Sequence, residues 1–192
     1  MLLIAALAPA AGAARGAAPA VPPDLPISLE AQSSEVDPHN MIFRKVKITQ
    51  GTMSVAADQA QATGLDFENS QWVFRGAVKI SMEGGELTSD QADITFEKKV
   101  LVRAVITGKP ASFEQRIVKT GRLAQGRADV IDYDVARGVV RLSANAWLSD
   151  GQREISGASL TYSVAEQRVV ASSADQGAQK VHITITPPLQ KP

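Results

Sequence analysis

From residue 27 to near the end of the chain, apolar and polar side chains alternate one by one. That alternation predicts strands, because successive side chains of an extended chain point to opposite faces. In WVFRGAVKISME, Trp72, Phe74, Val78, Ile80 and Met82 fall on one side, with Arg75, Lys79, Ser81 and Glu83 on the other. Val140, Leu142, Ala146 and Leu148 oppose Arg141, Ser143 and Asn145 in the same way. Near the end, Val181, Ile183 and Ile185 oppose Lys180, His182 and Thr184. No segment sustains the i, i+3, i+4 stripe of a helix. Turn-forming residues punctuate the pattern at Asp37-Pro38-His39-Asn40, Glu68-Asn69-Ser70, Glu83-Gly84-Gly85, Gly108-Lys109-Pro110, Ala136-Arg137-Gly138 and Asp150-Gly151. Strands this closely spaced, joined by turns this short, predict hairpins and an antiparallel all-β architecture.

One phrase recurs within these strands. SDQADITF (89–96) has relatives in AADQAQAT (56–63), RADVIDY (127–133) and SGASLTY (156–162). Three longer segments, 42–62, 73–96 and 140–162, are versions of a single strand-turn-strand unit, and Asp58 and Asp90 lie one such period apart. A unit of this size cannot bury its apolar face alone, so stacked copies continue one apolar lining, with the small residues Ala57, Ser89 and Gly157 where the chain bends.

Composition adds a compartment and removes several functions. The first residues, MLLIAALAPAAGAA, are apolar with a small-residue ending at Ala11-Gly12-Ala13, and RGAAPAVPP follows. Residues 1–24 are therefore expected to be a signal peptide with a disordered Ala/Pro-rich leader; the stretch is too short, and interrupted too early by Pro9, to span a membrane. Such a leader would export the protein from the cytoplasm, which the resemblance given below narrows to the periplasm. Residues 25–188 form the single expected domain, with a tail at 189–192. With 20 basic and 20 acidic residues spread along the chain, nothing marks a nucleic-acid partner. The absence of cysteine rules out disulfides and thiolate metal sites.

Catalytic chemistry finds little support. Asp58, Asp90 and Asp129 occupy matching places in their units. Carboxylates can serve as acid and base or bind metal, but equivalent positions in stacked repeats are more simply polar punctuation at strand starts. His39 sits in a turn and His182 on the polar side of the last strand, neither with a second ligand at metal spacing. No nucleophile elbow or glycine-rich phosphate cradle is present. The expectation is no enzyme, no catalytic residue, no metal and no cofactor. Periodicity alone leaves open whether the apolar faces close as a dry sandwich or remain a groove for lipid.

The segments PISLEA (26–31), VKITQGTMSVAADQAQA (46–62), GKPASFEQ (108–115), QGRADVIDYDVARGVVRLSANAWL (125–148) and ISGASLTYSVAEQRVVA (155–171), in that order, resemble the LptA (OstA-like) family of lipopolysaccharide-transport proteins. The stretch 65–105 departs from the pattern as an additional strand-turn-strand unit. Lys45 replaces the glycine that follows the first unit's aromatic, while Gly76 keeps it in the second.

The resemblance implies an open, twisted antiparallel β-jellyroll, V-shaped in section, whose apolar trough carries lipid A acyl chains. It also implies head-to-tail assembly, with other copies and with LptC-like inner-membrane and LptD-like outer-membrane components. By position, Ile27, Leu29, Phe113, Tyr133 and Val135 would face lipid. An open sheet exposes unpaired backbone groups at its ends. The strand around 26–31, with Ile27 and Leu29, and the strand around 179–186, with Val181, Ile183 and Ile185 before Pro187-Pro188, are the expected partner edges. Two alternatives remain: a ligand-free periplasmic β-scaffold, and an LptC-like membrane-anchored sister component, against which the short, Pro-interrupted leader and GKPASFEQ argue.

Overall fold

The computed structural model describes residues 25–37, 40–64, 69–98, 100–116, 121–135, 137–163, 168–173 and 180–185; the leader, the tail and His39 lie outside them. Within these residues the chain forms twelve strands: β1 (Ile27–Glu30), β2 (Ser33–Val36), β3 (Met41–Gln50), β4 (Met53–Ala62), β5 (Gln71–Met82), β6 (Gly85–Glu97), β7 (Val100–Arg116), β8 (Leu123–Asp134), β9 (Val139–Ser149), β10 (Arg153–Ser163), β11 (Arg168–Ser172) and β12 (His182–Ile185). All belong to one antiparallel sheet in which β3 to β10 pair in sequence order. β1 and β2 share β3 at one end, and β11 and β12 share β10 at the other. Among the described residues the two ends do not pair with each other, so the expected open all-β jellyroll is present. The stretch 69–98 contributes β5 and β6 to the same sheet.

A line of irregularities divides the sheet into two halves. Each long strand bends at one place, and those places are neighbours: register shifts fall between Ala56 and Gln59, Arg75 and Val78, Thr88 and Gln91, Thr107 and Ala111, Arg127 and Val130, and Gly157 and Ser159. Left-handed backbone conformations cluster there, at Lys45, Gly76, Ala77, Ala144 and Asn145. Extra residues of this kind bend a strand and increase its twist. The inner faces of the two halves share one hydrophobic cluster.

The repeated phrase is the bend itself. Its four copies lie on the returning strands β4, β6, β8 and β10. On each, a small inward residue (Ala57, Ser89, Ala128 or Gly157) is followed three residues later, instead of the regular two, by the next inward position (Ala60, Ala92, Ile131 or Leu160), all buried. The inside of a corner has room only for small side chains. At Gly157 an added Cβ would stand 3.0 Å from the carbonyl oxygen of Ser172. Asp58, Asp90 and Asp129 lie outside the corner. Asp58 pairs with Lys45 at 2.6 Å and Asp129 accepts from Asn145 Nδ2 at 2.9 Å, so the first and third brace the left-handed residues opposite them.

One expected turn is a correction. Gly108-Lys109-Pro110 does not separate two strands. It lies within β7, where four residues separate the inward Ile106 from the inward Ala111, and the Lys109–Pro110 bond is cis. Pro110, which lacks an N–H, sits where the ladder to both neighbours is interrupted. A bulge inside a strand and a turn between strands use the same residues, so local composition does not separate them.

Candidate functional site

Because directly opposed residues of antiparallel strands share a face, the register traces inward rows across the whole sheet. In the half nearer the termini of β1 and β12, one row runs Leu29–Ile48–Val55–Ile80–Leu87–Phe113–Gly126–Leu148–Ile155–Ile183 without interruption. In the other half, one row runs Ser34–Phe43–Ala60–Phe74–Ala92–Ile106–Ile131–Leu142–Leu160–Ala171. A second runs Val36–Met41–Ala62–Trp72–Ile94–Ala104–Tyr133–Val140–Tyr162–Val169. Apart from Ser34 and Gly126 at single places, the rows are apolar or aromatic throughout. Together they form a continuous greasy lining from one sheet edge to the other.

The lining is not equally accessible along its length. In the second half it is dense: large and small residues alternate as Phe43, Ala60, Phe74 and Ala92, all buried. Trp72, 0% exposed, stacks between Phe43 and Phe74 with ring centroids 6.1 and 5.9 Å away. In the first half Ile48, Val55, Ile80 and Leu87 are buried, whereas Phe113, Leu148 and Ile155 are only partly buried against the cluster. Solvent therefore reaches the apolar face along β7, β9 and β10. Gly126 is required beneath Phe113: a Cβ there would clash with the Cε1–Cζ edge of the Phe113 ring and stand 3.2 Å from Leu148 Cδ2.

The expected lipid-facing residues thus divide. Phe113 and Leu29 lie in the partly open row, and Ile27 stands next to it at the edge, 41% exposed. Tyr133 is a core residue, 6% exposed, in a different row, and Val135 is partly buried against the same cluster just beyond β8. Burial pushes the phenol pKa values of Tyr133 and Tyr162 up, because the charged form would lose its hydration. Leu148 and Ile155 complete the accessible stretch. Sequence alternation assigned Leu148 to an inner face, but only the pairing register sets it beside Phe113.

The outer face is polar. A shallow cavity of about 460 Å³ there is lined by Glu86, Thr88, Ser112, Glu114, Gln125, Arg127 and Trp147, together with Phe113 and Gly126. The Arg127 guanidinium lies 5.0 Å from the Trp147 ring centre. Elsewhere on that face Arg103 grips Asp132 through two 3.0 Å hydrogen bonds. Among the described residues no cluster of His, Cys, Asp or Glu could hold a metal ion, and no helix is long and apolar enough to cross a membrane.

Residues 59–168, from within β4 to the first residue of β11, match the family model of the LptA/LptD N-terminal domain, described as LPS transport protein. The match takes in more than half of the chain, including the unit that seemed additional. The chain belongs to this family. As an LptA/LptD N-terminal domain protein it is 28% identical over 134 residues to the lipopolysaccharide export system protein LptA of Escherichia coli K12, covering 69% of this chain and 71% of the relative. The LptA of Shigella flexneri matches to the same extent. The solved structure of LptH, the LptA-homologous periplasmic component of the lipopolysaccharide transport device of Pseudomonas aeruginosa, superposes with a TM-score of 0.55. It has 20% identity and covers 88% of this chain and all of the other, a likeness of fold.

Proposed function

We propose that this protein is a periplasmic, non-catalytic carrier that holds lipopolysaccharide by its lipid A acyl chains against the apolar lining and passes it between inner- and outer-membrane components. The observation that supports this most is the uninterrupted inner row through Phe113, apolar from edge to edge and partly exposed in its second half, at Phe113, Leu148, Ile155 and Ile183. Each methylene moved out of water contributes roughly 0.8 kcal/mol. Such contacts have no preferred direction, so a chain can slide from one apolar side chain to the next. In this reading the acyl chains enter beside Phe113, Leu148 and Ile155, with Ile27 and Leu29 at the rim. Tyr133 and Val135 meet lipid only if the two halves part along the line of bends. The edges holding Ile27 and Leu29, and Val181, Ile183 and Ile185, dock LptC-like, LptD-like or identical partners.

A ligand-free scaffold is the competing reading, favoured by the burial of Phe43, Trp72 and Phe74 in the other half of the interior. Incorporating a photo-crosslinking residue in place of Phe113, and separately Tyr133, in living cells separates the two. A lipopolysaccharide adduct at position 113, stronger than at 133, supports transport. No adduct at any inward position overturns it in favour of the scaffold.

A further inference from the structure

Among the described residues every aromatic side chain except Trp147 belongs to the interior cluster. Trp147 stands outward between the inward Ala146 and Leu148 and is only partly buried. Its neighbours across the ladder build a depression on the polar face. The outward row Lys79–Thr88–Ser112–Arg127–Trp147 is long at both ends and short in the middle, where Thr88 Oγ1 and Ser112 Oγ lie 2.9 Å apart. In the adjoining outward row Glu86, Glu114 and Gln125 stand side by side. The result is the cavity of about 460 Å³ over β6 to β9, a size within the range of small-ligand sites. We infer that this cavity is a saccharide site, binding a short stretch of a neutral oligosaccharide on the face of the sheet opposite the lining.

Three features select that chemistry. The first is the ring. A pyranose presents a face of C–H bonds whose partial positive charge suits the negative face of an aromatic system, and Trp147 offers such a surface to water on an otherwise polar side. The Arg127 guanidinium, 5.0 Å from the ring centre, braces it. The second is the kind of polar group. Glu114, Gln125 and Arg127 each end in a planar fork with two or more donor or acceptor positions, a shape that meets two neighbouring hydroxyls at once. Among the described residues none of the three hydrogen-bonds another side chain, so those positions are available to a ligand. The third is charge. Lys79 pairs with Glu86 at 2.7 Å, and Arg127 balances Glu114, so the site is neutral as a whole. A phosphate or carboxylate would meet two carboxylates placed directly opposite each other, Glu86 and Glu114, and an ammonium group would meet Arg127. Like charges in that position cost stability, so folding does not explain them. The sheet itself separates the cavity from the inward rows, and the inferred ligand is a glycan separate from the lipid proposed above.

Titrating the full-length chain with chitotetraose and with maltotetraose, both neutral, tests the site. Tryptophan fluorescence should change saturably with at least one of them at millimolar or lower concentration, and equally at low and high salt, since Trp147 is partly exposed while Trp72 is buried. By calorimetry, Trp147→Ala and Gln125→Ala should each weaken binding by roughly tenfold or more, with an unchanged circular dichroism spectrum. No binding of either sugar up to about 10 mM, affinity unchanged in either variant, or displacement by inorganic phosphate would overturn the site. Trp147→Ala should also leave the lipopolysaccharide adduct at position 113 as strong as in the parent. Loss of that adduct would assign the cavity to the sugar of the transported lipid itself and overturn the separate ligand. A parent chain that binds the oligosaccharide but gives no adduct would overturn only the transport reading.

Discussion

Replacing Gly76 by alanine tests the account of the corner. Gly76 has φ +74°, and a Cβ there would stand 2.5 Å from Asp58 Oδ2 and 2.9 Å from Asp58 Cβ. The left-handed backbone costs a non-glycine residue about 1–2 kcal/mol. Displacing Asp58 adds about 1 kcal/mol of overpacking; its exposed pair with Lys45 contributes little to the total. A loss of about 2–3 kcal/mol corresponds to a fall in Tm of roughly 4–12 °C for a domain of this size. Thermal unfolding followed by circular dichroism reads it directly. In an Asp58→Gly background the steric part disappears, so Gly76→Ala should cost only the backbone part, about 1–2 kcal/mol. A Tm within about 1 °C of the parent, or the same fall in both backgrounds, would refute the contact with Asp58 as the reason for glycine.

The neighbouring Ala77, with φ +45°, should respond in the opposite sense: Ala77→Gly relieves the left-handed penalty and gains about 0.5 kcal/mol after the extra chain entropy of glycine, and a clear loss in a urea titration would contradict it. At the β9–β10 turn the buried Asp150 Oδ1 accepts the N–H groups of Gln152 and Arg153 at 2.9 and 2.8 Å, with Arg122 3.8 Å from Oδ2. Asp150→Ala should cost about 2–4 kcal/mol and Asp150→Asn at most about half as much, because the amide oxygen keeps both bonds; equal losses by urea unfolding would show that charge, not acceptance, matters. Burial raises the pKa of Tyr133 and Tyr162, so the folded state holds those protons more tightly. Their contribution is full below about pH 10 and is lost as pH climbs through the raised values. The double variant Tyr133→Phe, Tyr162→Phe should flatten the alkaline fall of the urea midpoint, and an unchanged limb would refute this.

Much of the site's material was legible before the fold was known. Alternation set Trp72, Phe74, Val78 and Ile80 on one side of a strand, and they are all buried. It could not reveal that Tyr133 closes against the Trp72 side while Phe113 stays half open, because exposure depends on which rows the corner folds onto each other. The pattern also suggested a turn at Gly108–Pro110, where the chain instead bulges and continues as β7. The edge strands β2 (SSEV), with a single apolar residue, and β11 (RVVAS), with its apolar residues side by side, do not alternate, so Val36 and Val169 were not singled out.

By itself the sequence determined the strands, their hairpin order and the recurring small-residue phrase, since these follow from local periodicity and turn chemistry. Only the tertiary structure decided that the phrase marks one shared corner and that the rows run unbroken between two exposed edges. Register is a relation between strands distant along the chain: a one-residue slip would send every inward side chain outward, and no single strand contains the information that prevents it.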